Sequence, residues 1–171
     1  MKRRLCEPVP SHMAQMVADH EMSLEYLKDL FDATSHRCLI TDGENKRLMV
    51  AAIGLEFPFF LQLDKSAERM FIAFSAHVKF LEDTEFPERV MHVMELNADK
   101  LLVRHSLLDN EYLYFDYHLS YEDGILPQTI LNTFFRFNYV VGNTLRDGSP
   151  GNKIAAALGK KPLLDIDITS E

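Results

Sequence analysis

A chain of 171 residues, 47% hydrophobic and 26% charged, has the length of one domain whose core needs no disulfide or metal staple. Its formal net charge of -8 makes duplex DNA or RNA a poor partner, because affinity there rests on Lys and Arg neutralising phosphates. Basic protein segments suit it better. The cluster Lys2, Arg3 and Arg4 is followed by no apolar run of signal-peptide length, and no window reaches the roughly 18 to 20 apolar residues of a membrane span. The expectation is a cytoplasmic protein without a membrane partner. Cys6 and Cys38 lack CxxC or Cys/His spacing, which fits reduced thiols and no zinc site.

In chain order, Met13, Val17, His20, Leu24, Leu27 and Phe31 recur at alternating spacings of 4 and 3, the pattern of an amphipathic helix. Ser11 or Ser23 can cap it, so one long helix and a short helix with a leader both fit. Residues 37–41 and 47–53 read as a hairpin around the turn signal at 42–46. Phe59, Leu61 and Leu63, then Met70, Ile72, Phe74, Ala76 and Val78, alternate with their neighbours and predict a second hairpin buried on one face. Pro58 marks a strand entry or an edge, since it cannot donate to a ladder.

Pro87 at a first helical position opens a second helix to about Ala98, with Val90, Val93 and Met94 as its apolar side. Residues 101–108 and 112–120 form a third hairpin. If paired residues sum to 220, His105 and Leu107 share a face with Phe115 and Leu113, and Arg104 lies opposite Asp116 on the other face. This register requires a three-residue loop, Asp109 to Glu111. Residues 122–127 enter the last helix, which runs to about Arg146. Residues 147–151 are a linker, 153–158 suit a short helix, and 163–168 alternate like an edge strand or a docking peptide. Order α-β-β-β-β-α-β-β-α gives an α+β domain, helices packed on an antiparallel sheet.

Several stretches carry a family likeness in that succession: PhePheLeuGlnLeuAsp (59–64), MetPheIleAlaPheSerAla (70–76), PheProGluArgValMetHisValMetGluLeuAsn (86–97), the 101–119 hairpin and GluAspGlyIleLeuProGlnThrIleLeu (122–131). Together they resemble the YbjN family, often labelled bacterial sensory transduction regulators, whose fold is similar to that of type III secretion chaperones. The likeness covers roughly residues 24–146. It implies a small, acidic, dimeric protein that binds other proteins, has no enzyme activity and needs no cofactor. It carries over no functional residue, because the pattern has no invariant catalytic motif. Residues 1–22 form an N-terminal extension, 23–146 the domain, and 147–171 a linker and tail.

Chemistry is sparse. Glu88, His92 and Glu95 share one face of the second helix and can supply three metal ligands, the basis of an alternative reading as a metal- or small-molecule-binding sensor or enzyme. The plain structural reading is an exposed polar face opposite Val90, Val93 and Met94. His105 falls on the core face as a hydrogen-bonded residue, with His77 and His118 on polar faces. A third possibility is a ligand cleft between the last helix and the sheet, which the tail from Gly151 could itself fill.

Interaction surfaces are better marked. Tyr112, Tyr114, Asp116 and His118 form the outer face of one strand, beside Leu102, Arg104, Ser106 and Leu108, and are either covered or a recognition patch. In residues 130–145, Phe137, Ile130, Val141, Phe134 and Leu145 fall within about 80° and make a core seam. Leu131, Phe135, Tyr139 and Gly142 form a second flank, which must meet the chain's own first helix or tail, a second subunit, or a partner. The leading expectation is a homodimeric protein-binding module without catalytic or metal-binding residues.

Overall fold

Buried and less buried side chains alternate along much of the sheet, and period-2 alternation is what lets a sheet bury one face only. The structure is a computed structural model that describes residues 15–34, 36–42, 45–51, 58–66, 69–99 and 102–146. Strands β1 (Cys38–Ile40), β2 (Leu48–Ala51), β3 (Pro58–Ser66), β4 (Arg69–Lys79), β5 (Arg104–Leu108) and β6 (Tyr112–Ser120) form one antiparallel sheet in the order β1-β2-β3-β4-β6-β5. Helices α1 (Leu24–Asp32), α2 (Phe86–Asp99) and α3 (Pro127–Arg146) complete the expected α+β order. The first four strands meander, α2 follows, and the β5–β6 hairpin returns so that β6 joins β4 and β5 takes the edge.

The β5–β6 register is the expected one: Arg104 pairs with Asp116, His105 with Phe115 and Leu107 with Leu113. Its loop is Asp109 to Glu111, closed by the Glu111 N–H donating to the Leu108 carbonyl. The loop does without glycine because Asp109 (φ 52°) and Asn110 (φ 59°) take the left-handed conformations, which Asp and Asn tolerate best among side-chain-bearing residues. β5 starts at Arg104, later than expected; Val103 is buried in a bend before it, and Leu101 lies outside the described residues. Pro58 is the first residue of β3, where a missing N–H costs least.

The short form of the first helix is the one found. Ser23 is its N-cap, its hydroxyl accepting from the Tyr26 N–H at 3.0 Å. The apolar rhythm upstream serves a different structure: Val17 and Ile125 exchange both backbone hydrogen bonds at 2.9 Å, and a single 3-10 turn at Asp19–Glu21 leads to fully buried Met22. Gly124, at φ +93°, makes this crossing possible, since a Cβ there would sit 2.8 Å from the Val17 carbonyl oxygen. Pro127 then opens α3 at the position that loses no helical hydrogen bond. At the start of α2, the Glu88 carboxylate accepts from the Glu85 N–H at 3.2 Å, half of a capping box.

The core lies between one sheet face and the helices. Leu48, Val50, Phe59, Leu61, Ile72, Phe74, Leu113 and Phe115 meet Leu27, Leu30 and Phe31 of α1 and Ile130, Phe134, Phe137 and Val141 of α3. Phe134 stands edge-on to Phe31 (4.8 Å) and Phe59 (5.6 Å), and Phe137 to Phe59 (5.3 Å). Burying each such side chain contributes about 1.5–3 kcal/mol. The five-residue seam expected on α3 is therefore its core side. Cys6, residues 1–14, the strand end at 52–53 and the linker and tail at 147–171 lie outside the described residues.

Candidate interaction surfaces

The sheet face opposite the core is covered by no described helix, and its centre is aromatic. Side chains of alternating residues bring Met49, Phe60, Ser75, His77, Tyr114 and Ser106 to this face across successive strands. Phe60 and His77 stack at 5.7 Å with planes 9° apart, the Arg47 guanidinium lies 5.8 Å over Phe60, and Tyr112 stands edge-on to His77 at 5.6 Å. Burial and the Arg47 charge together push the His77 imidazole below its ordinary value of 6.5, so it is a neutral aromatic member of this row. Tyr112 and Tyr114 are both partly buried.

One strand along, Arg104 donates to both carboxylate oxygens of Asp116, at 2.9 and 2.7 Å. Asp116 is 5% exposed although it points out of the sheet, and the His118 imidazole is 3.6 Å from it. The Asp116 carboxylate in turn raises the Arg104 guanidinium above its usual value through hydrogen bonding and charge. Tyrosine and arginine are among the residue types enriched at protein contact surfaces.

The second flank of α3 divides. Leu131 is 2% exposed and joins the core, and Gly142 is buried as well. Phe135 and Tyr139 are 45% and 69% exposed. The Phe135 ring leans on His36 (5.6 Å), which is itself buried among Phe31 and Phe134 with Nδ1 2.8 Å from the Thr34 hydroxyl. Burial pushes the His36 imidazole below its ordinary value. Sequence reading passed over His36; a lone imidazole after a helix carries no local sign of its tertiary contacts.

Glu88, His92 and Glu95 do not converge on a common point. His92 is 3% exposed with its ring 6.1 Å from Phe80, whereas Glu88 and Glu95 are exposed. Among the described residues no three His, Cys, Asp or Glu side chains are grouped to hold a metal ion. Helix α2 is rotated from its expected orientation: His92 faces inward with Leu96, and Met94 is 64% exposed. His105 is the buried, hydrogen-bonded residue expected, edge-on to Phe115 at 5.1 Å with Nδ1 3.3 Å from Asn97 Oδ1. Between α3 and β6 lies a cavity of about 50 Å³ bordered by Tyr117, Arg136, Phe137 and Val140. That is well below the roughly 300 Å³ at which ligand pockets begin.

Residues 14–138 match the family model of YbjN, described as "Putative bacterial sensory transduction regulator". Among solved structures, the crystal structure of YbjN from E. coli, described as "a putative transcription regulator", superposes with a TM-score of 0.63 at 14% sequence identity, covering 82% of this chain and 98% of that one. No curated protein sequence matches the chain. No helix among the described residues is long and apolar enough to cross a membrane.

Proposed function

The chain belongs to the YbjN family, and from that premise we propose that it is a non-enzymatic, chaperone-like or regulatory protein-binding module that works in the cytoplasm as a homodimer. The observation that carries this reading is the sheet face that no described helix covers, where Arg47, Phe60, His77 and Tyr112 are assembled side by side with Tyr114. An extended or helical segment laid across that row would bury aromatic surface without ordering long flexible side chains. The E. coli relative is described as a transcription regulator. With a net charge of -8, this chain would act on such a process through proteins and not by holding phosphates.

Phe135 and Tyr139 are the self-association surface in this proposal, extended from a helix whose other side is core. Tyr112 and Tyr114 belong to the partner surface. The test is a photo-crosslinking residue in place of Tyr114, used in the native cell, beside sedimentation of the wild type and of Phe135→Ser/Tyr139→Ser. Discrete crosslinked proteins and a dimer that the double variant dissociates are expected. Absence of crosslinks together with a wild-type monomer at micromolar concentration would sink the reading.

A further inference from the structure

Phe86, Met91 and Met94 are 53%, 59% and 64% exposed, all on α2. At 100° per residue Met94, Pro87, Ala98 and Met91 fall within about 60° of the helix, Phe86 lies beyond Val90 on the side where Asn97 meets β5, and His92 and Leu96 face inward. Neighbouring large apolar side chains in water mark a contact surface, and methionine, unbranched and polarisable, adapts to varied partners.

The surroundings of this face are acidic. Residues 82–99 hold Glu82, Asp83, Glu85, Glu88, Glu95 and Asp99, all exposed. Their one cation is Arg89, whose guanidinium donates to the carbonyls of Thr84 (2.8 Å) and Asn110 (2.6 Å) and lies over Phe80. Lys100 follows directly, so residues 82–100 carry six carboxylates against two cations, a formal net of -4. Arg89 is engaged internally, so the face turned to solvent is apolar with an anionic rim.

We propose that this face of α2 binds an amphipathic, Lys- and Arg-rich helix of a partner protein. The apolar side of such a helix covers Phe86, Met91 and Met94, and its cations meet the carboxylates along the rim. A second copy of this chain is the poorer occupant, because it would bring two strongly acidic faces together. The inference rests on the protein-binding reading above, and adds to it a partner chemistry and a face that reading does not use.

The test titrates the full chain with a synthetic helix carrying Leu at i, i+3, i+4 and i+7 and Lys elsewhere, and with a twin carrying Glu for Lys. The Lys peptide is expected to bind, more weakly as salt rises, and the Glu peptide not to bind. Met91→Ser/Met94→Ser, which leaves charge unchanged, is expected to weaken the Lys peptide about tenfold or more, as is Glu85→Gln/Glu95→Gln. A thermal melt establishes that both variants fold. Equal binding to wild type and the Met variant would mean general attraction to an acidic protein and overturn the proposal, as would no binding. A wild-type dimer made monomeric by Met91→Ser/Met94→Ser would assign the face to a second copy and overturn it too. If the peptide fails while crosslinks from position 114 persist, this inference falls and the protein-binding reading stands.

Discussion

Asn97 satisfies the backbone of His105 as a neighbouring strand would: its side-chain Nδ2 donates to the His105 carbonyl at 2.8 Å, and its Oδ1 accepts from the His105 N–H at 2.9 Å. β5 is an edge strand, and an open edge invites pairing with another chain. One amide side chain near the end of α2 closes it at its second residue. Asn97→Ala is expected to destabilise the protein by about 1–3 kcal/mol, because two backbone groups lose their partner. Asn97→Asp keeps only the acceptor and should fall between. Urea denaturation measures both, and light scattering should show the Ala variant aggregating sooner.

Arg104 and Asp116 lock the same hairpin from the opposite face. Because Asp116 is buried and Arg104 is not, the two substitutions differ in kind. Arg104→Ala leaves a buried carboxylate and should cost about 1–3 kcal/mol, whereas Arg104→Ala combined with Asp116→Ala should cost less than the single change. A double-mutant cycle by thermal unfolding checks this, and equal losses would place the pair among weak surface contacts.

Stability should fall on mild acidification. His36 and His77 both have folded-state values below 6.5, each mainly through burial. As pH drops through about 6.5 the unfolded chain takes up protons that the folded chain refuses, so unfolding gains until pH passes the lower folded values, where the loss levels off. His36→Phe/His77→Phe should flatten the fall. Melting temperatures from pH 7.5 to 5 test it, and an unchanged slope in the variant would move the cause elsewhere.

The Cys38 thiol should react slowly. Burial, then the nearby Asp32 carboxylate, push it up to about 12, and its Sγ–H donates to the His36 carbonyl at 3.6 Å. Thiolate is the nucleophile, so very little is present at pH 8. With Cys6→Ser as background, alkylation of the folded protein should lag far behind that in urea; similar rates would show an open site.

How far the sequence foresaw this depends on whether a feature was local. Two period-2 strands joined by a short loop specify their own register, so Arg104 opposite Asp116 could be read from spacing alone. The α3 core seam was equally plain, since five apolar side chains at helical spacing have one side to turn inward. Reading failed where a distant partner decides. The rhythm from Met13 to Phe31 could not show that Val17 pairs with Ile125. Likewise, α2 has apolar residues on more than one side, and only the contacts of Leu96, His92 and Asn97 with the sheet region fix its rotation. Met94, expected inside, is therefore outside, and His92 is the reverse.

The latch between Val17 and Ile125 also sets an order of events during synthesis. Val17 leaves the ribosome early, yet the strand mate that fixes it is made only after all six strands, and α3 follows later still. Until then Leu27, Leu30 and Phe31 have only the sheet to pack against, because Phe134 and its neighbours do not yet exist. Helix α1 is thus made before the sheet and fully covered only after it, and a chain truncated or stalled before α3 would expose it to the cell's chaperones and proteases.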